Sequence, residues 1–354
     1  MARMEVWMGR ANTGKSLRVL EKIRDLGDSG GGQLLLVPEH ATYQAELDLC
    51  RVCGDTASRH GEVLSFRLLA SRVLARTGGA ADGTLDAGGK LLMMQRALQE
   101  ALPSLTVYAR PSRKAPFLAE LVALCDELQV CRVEPERLGE VWSGLGGLTG
   151  EKVRDLSLIY AAYLHRLKGE GQDRRDLMTR LGEELEASGY AEGKDVFLDG
   201  FTYFTAQELA VIAILLRRAR SVTITLLGER DSDLEIFRQS LRVVYLPSRP
   251  PETALEHLEA NFFGGSAKWD GDCRAVKLYR AESLFSEAEY VASEILTLVR
   301  TGKYRFRDVA VAARNLEEYA PVIESVFERY GVPMYVSRRS DVLEKPVLSL
   351  IAAA

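Results

Sequence analysis

Residues Gly9-Arg10-Ala11-Asn12-Thr13-Gly14-Lys15-Ser16 satisfy the spacing G-x-x-x-x-G-K-[ST] at every fixed position. The octet follows a short apolar run, Met4 to Met8. It opens a helical pattern of Leu17, Leu20, Ile23 and Leu26, which Gly27 stops. Strand, glycine loop and helix in that order are the setting that separates a phosphate loop from a chance match. Chance alone would produce the octet somewhere in a chain this long with odds of roughly one in a hundred. Such a loop aims backbone N–H groups and a helix N-terminus at the phosphates of a nucleotide. Lys15 is then expected to reach the β- and γ-phosphates of ATP, and the Ser16 hydroxyl to hold Mg²⁺. The plain alternative is a glycine-rich turn before a helix.

Any parallel sheet built on this loop needs more chain, and 354 residues supply enough for two domains or more. Short apolar runs alternate with helical segments, the pattern of an α/β protein. Candidate strands are 4–8, 33–37, 62–65, 195–198, 222–227, 275–279, 309–312 and 333–336. Between Gly78 and Gly193 the strand signals vanish, and 90–101, 116–128, 151–167 and 175–187 read as amphipathic helices. The expected layout is therefore a phosphate-loop domain over 1–78 and 193–265, interrupted by an all-helical insertion over 79–192. A glycine-bearing linker, Asn261 to Gly271, leads to the start of a second α/β domain over 272–354, with helices at 287–299 and 315–330. Residues 342–354 stop inside an apolar helical pattern, as expected for the N-terminal part of a longer polypeptide.

The bulk properties exclude several classes. The longest apolar stretch, Leu209 to Leu216, is far too short to span a bilayer, and the first residues lack a signal-peptide core. A cytoplasmic protein is expected. The net charge of −4 gives no global sign of a nucleic-acid partner, so any such surface must be local. Five scattered cysteines (50, 53, 125, 131 and 273) argue against a disulfide framework. Cys50 and Cys53 form a lone C-x-x-C with only His60 nearby, short of a zinc ligand set, and read as ordinary helix cysteines.

A phosphate-loop domain also needs a carboxylate at a strand end to hold Mg²⁺, and Val196-Phe197-Leu198-Asp199 supplies it. Hydrolysing members usually follow that Asp with a Glu. Gly200 stands there instead, so nucleotide binding with slow hydrolysis is expected. Glu208 could substitute, or could simply open the next helix.

Three further segments complete a pattern. Leu34-Leu35-Leu36-Val37-Pro38-Glu39-His40-Ala41-Thr42-Tyr43-Gln44-Ala45-Glu46 follows the loop, then Val63-Leu64-Ser65-Phe66-Arg67, then Leu198 through Thr202-Tyr203-Phe204-Thr205-Ala206-Gln207-Glu208. Later come Ala288 to Ala292, Asp308 to Arg314, and Tyr319. In this order, from residue 4 to the chain end, they resemble the AddB family, the second subunit of the AddAB helicase–nucleases that process double-strand breaks in bacteria. His40 departs from the pattern, since the family more often has Gln there.

The resemblance implies a RecA-like, superfamily 1 helicase-like fold that has lost translocation. It further implies binding of single- and double-stranded DNA ends, a part in Chi recognition, and an AddA-type helicase–nuclease partner. A nuclease domain with an iron–sulfur cluster would lie beyond these residues, so the cysteines here are not its ligands. The Gln-bearing helicase motif expected after 222–227 is replaced by Gly228-Glu229-Arg230-Asp231. Arg314 matches an arginine that active helicases turn toward the γ-phosphate, or is an ordinary surface arginine.

By the same resemblance, Thr42, Tyr43, Ser65, Phe66, Arg67 and Arg72 occupy nucleic-acid motifs, where aromatics stack on bases and polar groups meet phosphates. Phe66 could equally be core. Two basic clusters remain: Arg110-Pro111-Ser112-Arg113-Lys114 as a phosphate contact, and Arg217-Arg218-Ala219-Arg220 as a helix C-terminus. A free-standing phosphate-loop ATPase or small-molecule kinase, and a structural module with a vestigial loop, are the competing readings. The kinase reading lacks a recognisable lid with catalytic arginines.

Overall fold

A computed structural model describes residues 3–27, 32–79, 85–110, 115–168, 176–227, 241–247, 250–262, 264, 267–336 and 350. The chain divides into two units, Met1–Arg249 and Pro250–Ala354.

The first unit is built on six parallel strands: β1 (Arg3–Gly9), β2 (Gln33–Leu36), β3 (Glu62–Leu64), β4 (Asp195–Leu198), β5 (Ser221–Leu227) and β6 (Leu241–Tyr245). Their order across the sheet is β3-β2-β4-β5-β1-β6. The first five match the expected strands to within a residue or two. The edge strand β6 is not among the expected ones, since Leu241-Arg242-Val243-Val244-Tyr245 is short and carries a charge.

Parallel strands are covered on both faces and so read as near-continuous apolar runs. Val196, Phe197 and Leu198 of β4 are fully buried. One face packs against α4 (Phe66–Thr77), α9 (Leu177–Ser188) and α10 (Ala206–Arg218) through Val6, Leu36, Leu198, Ile224, Leu69 and Leu215. The other packs against α1 (Lys15–Gly27), α2 (Thr42–Cys53) and α3 (Ala57–His60) through Leu35, Phe197, Val19, Ile23, Leu49 and Ala57. Helix and loop chemistry sets the boundaries locally. Ser65 caps α4 by accepting Leu68 N–H at 3.2 Å, and Gly78 ends that helix in the left-handed region at φ 86°.

Between the strands lie α5 (Ala87–Ala101), α6 (Ala115–Val130), α7 (Pro135–Ser143) and α8 (Gly147–Lys168). They bury a core of their own, with Met94, Leu98, Leu121, Cys125, Ile159 and Tyr163. Among the described residues these four helices lie between β3 and β4 in the chain, and α7 is not among those expected from the sequence. The helix expected over 175–187 behaves differently. As α9 it buries Leu181 and Leu185 in the core of the sheet, against α4 and α10.

At the amino edge of the sheet Asp195 is buried. It accepts hydrogen bonds from Arg220 Nε (3.0 Å), Ser221 Oγ (2.6 Å) and a second Arg220 nitrogen. Burial pushes its carboxyl up, but the hydrogen bonds from Arg220 and Ser221 and the Arg220 charge outweigh it, so its pKa falls below 3.8. A depressed carboxylate stabilises the fold above its unfolded pKa, and that contribution disappears as pH falls through the folded value. Asp195→Asn is therefore expected to lower the urea midpoint at pH 7 and to flatten its decline between pH 4 and pH 2. Parallel acid profiles for the two proteins would refute the assignment. Arg217 and Arg218 stand in the last turn of α10 and pair with Glu186 of α9 at 2.6 and 3.3 Å.

The second unit holds α11 (Ala254–Asn261), α12 (Leu284–Arg300) and α13 (Leu316–Tyr330), with Ala292, Ile295, Ile323, Val326 and Phe327 in its core. Its two long helices match those expected from the sequence. Residues 275–279, 309–312 and 333–336 do not form strands. A strand exists only through hydrogen-bonded neighbours, and among the described residues these segments are not paired with one another. The seam between the units falls at residue 249, ahead of α11, rather than within the glycine-bearing stretch 261–271. Among the described residues no helix is long and apolar enough to cross a membrane.

Candidate functional site

The loop after β1 folds as its glycines require. A Cβ on Gly9 would lie 2.6 Å from Thr13 Oγ1 and 3.2 Å from Leu246 Cβ, so the loop can return over this position only if it is glycine. Asn12 (φ 60°) and Gly14 (φ 78°) sit in the left-handed region, which Asn and Gly tolerate best. The Thr13 hydroxyl donates to Arg10 O at 2.9 Å and tightens the turn. Helix α1 starts at Lys15, with Arg18 N–H donating to Gly14 O at 3.0 Å.

The Lys15 ammonium lies inside this loop. It donates to Gly9 O at 2.7 Å and Arg10 O at 2.6 Å, and the residue is only 9% exposed. A lysine charge and the N-terminus of a 13-residue helix thus share one place, favourable for an anion. Ser16 is exposed beside them.

A second element comes from across the sheet. Leu198 of β4 pairs with Ile224 of β5, so the next residue, Asp199, comes alongside Thr225. Asp199 N–H donates to Leu36 O at 3.0 Å, and the Thr225 hydroxyl donates to Asp199 Oδ1. Only β5 separates β4 from β1. Residues 11–17, Asp199 to Phe201 and Thr225 to Leu227 consequently line one cavity of about 310 Å³. It opens at the carboxyl ends of the strands, where open α/β sheets bind ligands. Ser16 and Asp199 offer a hydroxyl and a carboxylate oxygen, hard donors of the kind magnesium accepts.

Gly200 has φ 80°, a conformation that strains any residue bearing a Cβ except occasionally Asn or Asp. The position that lacks the hydrolytic Glu is thus a turn that favours glycine. Glu208 is committed elsewhere, its carboxylate accepting Thr205 N–H at 2.8 Å and Thr205 Oγ1 at 3.0 Å in a capping box at the start of α10. Of its two readings, the one that opens a helix holds.

The nucleic-acid residues divide. Tyr43, at the start of α2, is 71% exposed beyond the carboxyl end of β2. Thr42 is half-buried, its hydroxyl donating to Glu39 O at 3.0 Å. Arg67 is exposed, 4.0 Å from Glu39, and Arg72 pairs with Glu62 at 3.0 Å. Ser65 and Phe66 do not present themselves to a ligand. Ser65 is 2% exposed and caps α4. Phe66 is 5% exposed, its ring edge-on to Phe201 at 5.6 Å within the sheet core. A ring so enclosed cannot stack on a base. Tyr203, which the motifs do not mark as a site, is 68% exposed on the loop after β4. Its signal in the sequence is an aromatic residue in a loop at a strand's carboxyl end.

Arg314 is exposed and belongs to the second unit. Pro111 to Lys114 and Gly228 to Asp231 lie outside the described residues, while Arg110 is exposed. Cys50 is exposed and Cys53 half-buried in the last turn of α2. The His60 ring approaches Arg24 O at 3.1 Å and Thr56 Oγ1 at 3.2 Å. Cys125 is buried, which with the nearby Asp126 charge pushes its thiol up to about 12 and leaves it unreactive.

A doubly covered parallel sheet with a glycine-loop cavity at its carboxyl edge defines an α/β protein. The family model described as "ADDB, N-terminal" matches residues 6–245, about two thirds of the chain. This chain belongs to the AddB family. Its curated relatives are the B-type subunits of bacterial ATP-dependent helicase/deoxyribonucleases. It is 34% identical to that of Desulforudis audaxviator, 32% to that of Moorella thermoacetica and 30% to that of Desulforamulus reducens. Each alignment covers 98% of this chain and 33% of the relative. The chain thus spans about a third of the length of the curated relatives it matches.

Proposed function

We propose that this chain is a nucleotide- and DNA-binding scaffold of a helicase–nuclease that processes double-strand breaks, with little or no turnover of its own. The observation that carries the reading is the convergence of Lys15, Ser16 and Asp199, from the ends of two strands, on one cavity of about 310 Å³. In this reading the first unit is a RecA-like, superfamily 1 helicase-like domain interrupted by the helices α5 to α8. ATP lies along residues 9–16, and Ser16 and Asp199 hold Mg²⁺, which offsets phosphate charge when bound.

Single-stranded DNA crosses the carboxyl ends of β3, β2 and β4, with Tyr43 and Tyr203 as stacking platforms and Arg67 and Thr42 toward phosphates, while Arg72, paired with Glu62 at the amino end of β3, lies off that path. The names of the relatives support a partner subunit, taken here as an AddA-type helicase–nuclease in the cytoplasm. They also support action on DNA, while DNA ends as the substrate, Chi recognition and an iron–sulfur nuclease domain enter this reading from the motif resemblance alone. Gly200 supports weak hydrolysis, because the backbone there disfavours the missing Glu.

Titration with a fluorescent ATP analogue, followed by turnover assays with and without single-stranded DNA, tests this reading. Saturable binding without DNA-stimulated turnover is the expected result. Robust turnover would overturn the inactive-motor reading, and absence of binding would leave a structural module. For the DNA surface, Tyr43→Ala is expected to cost about 1–3 kcal/mol of single-strand affinity, the usual worth of one stacked base. Unchanged binding by fluorescence anisotropy would remove Tyr43 from the interface.

A further inference from the structure

We propose that Thr225 is a positioning residue for the nucleotide site, holding the Asp199 carboxylate in the orientation that receives a divalent cation. The inference rests on the nucleotide reading above and adds to it a residue that no motif in the sequence marks.

Strand β5 reads Ser221-Val222-Thr223-Ile224-Thr225-Leu226-Leu227. Val222, Ile224 and Leu226 face the core shared with α4, α9 and α10. Alternation sends Thr223 and Thr225 to the opposite face, which α1 covers. Both are almost fully buried, at 1% and 3% exposure. Valine has nearly the same shape and is the usual occupant of a parallel strand buried on both sides. A buried hydroxyl is tolerated where it has a partner, and each of these has one. Thr223 accepts from Lys22 at 3.3 Å, within the charged network that includes Glu5. Thr225 donates to Asp199 Oδ1.

The second bond differs in its surroundings. Asp199 and Thr225 both line the cavity that holds Lys15 and Ser16. A carboxylate on a loop turning through Gly200 can rotate about its side-chain torsions. Two anchors restrain it here, the Asp199 N–H to Leu36 O and the hydroxyl on Oδ1. A carboxylate accepts at both oxygens, so a bond at Oδ1 sets the plane and leaves Oδ2 as a further acceptor. Partners of this kind, one bond removed from the ion, typically govern metal affinity by about 10–100-fold.

The test is a Mg²⁺ titration of nucleotide binding by the 354-residue chain, using a fluorescent ATP analogue and comparing wild type with Thr225→Val and Thr225→Ser. Thr225→Val is expected to need roughly 10-fold more Mg²⁺ for half-maximal tightening, with affinity in EDTA unchanged. Thr225→Ser keeps the hydroxyl and is expected to restore the wild-type curve. On an Asp199→Ala background, Thr225→Val is expected to add nothing. Thr225→Ala, which removes the hydroxyl without placing a methyl against the carboxylate, gives the same readout should the valine variant fold poorly. A Thr225→Val curve that coincides with wild type would overturn the proposal and leave the nucleotide reading intact. A wild-type chain that binds the analogue equally with and without Mg²⁺ would overturn the metal assignment and the role of Thr225 together. No binding by wild type would instead overturn the nucleotide reading itself.

Discussion

Replacing Lys15 with alanine is expected to abolish the rise in melting temperature that ATP with Mg²⁺ gives the wild-type chain. A ligand at 100 times its Kd stabilises the folded state by about 2.7 kcal/mol. For a unit of this size each kcal/mol moves the midpoint by about 2–4 °C, so the wild-type shift is about 5–10 °C. Lys15 is the one side chain that the loop draws inside itself, with its ammonium on the carbonyls of Gly9 and Arg10. Those bonds can be exchanged for phosphate oxygens without moving the backbone. The nucleotide-free melting temperature of the variant must be measured too, since charged hydrogen bonds contribute about 1.5–3 kcal/mol each. The prediction concerns the difference between the two curves. An alanine variant that still gains the wild-type increment would mean that the loop does not hold phosphate, and the structural-module reading would take its place.

The second large effect is one of stability, at Asp155. This residue of α8 is fully buried, and its carboxylate accepts three consecutive backbone N–H groups. Thr106 and Tyr108 lie at 3.0 Å and Val107 at 2.8 Å. The Thr106 hydroxyl lies 3.3 Å from the same carboxylate but makes its shorter bond to Glu151, at 2.6 Å. Segment 106–108 belongs to no helix or strand, so its amides have no ladder to join. Asp155 serves them as a capping residue serves the first amides of a helix. Truncation to alanine strands three donors in an apolar setting, at about 1–3 kcal/mol for each that finds no water. Asp155→Ala is accordingly expected to cost about 3–5 kcal/mol, a large share of the whole stability of a domain. Urea unfolding followed by circular dichroism measures it. Asp155→Asn, which keeps one acceptor oxygen, should fall between the two. Because α5, α6, α7 and α8 bury their own core, hydrogen exchange should quicken there first, with the sheet still protected. A wild-type urea midpoint for the alanine variant would show that the loop holds itself. The same loop leads into Arg110, so its anchoring also decides how firmly that basic cluster is presented.

Much of this was legible in the sequence because it is local. The octet Gly9 to Ser16 dictates a loop through φ values that only Gly and Asn adopt easily, and the loop formed where the octet lies. Asp199 could be placed at a strand end because Val196, Phe197 and Leu198 read as a buried strand. The long helices of both units followed from their apolar period.

What the sequence by itself could not decide depends on partners distant along the chain. The insertion of β5 between β4 and β1 sets the width of the cavity, and it joins segments some two hundred residues apart. The bond from Thr225 to Asp199 exists because two strands adopt one register. Phe66 sits at a strand–helix junction that reads equally as a base-stacking site or as core, and packing against Phe201 made it core. Residues 275–279, 309–312 and 333–336 have the composition of strands and are none, since a strand is a relation between segments. Local propensity fixes a residue's own backbone, whereas strand order, register and burial are settled only when distant segments compete for the same hydrogen bonds and the same apolar surface.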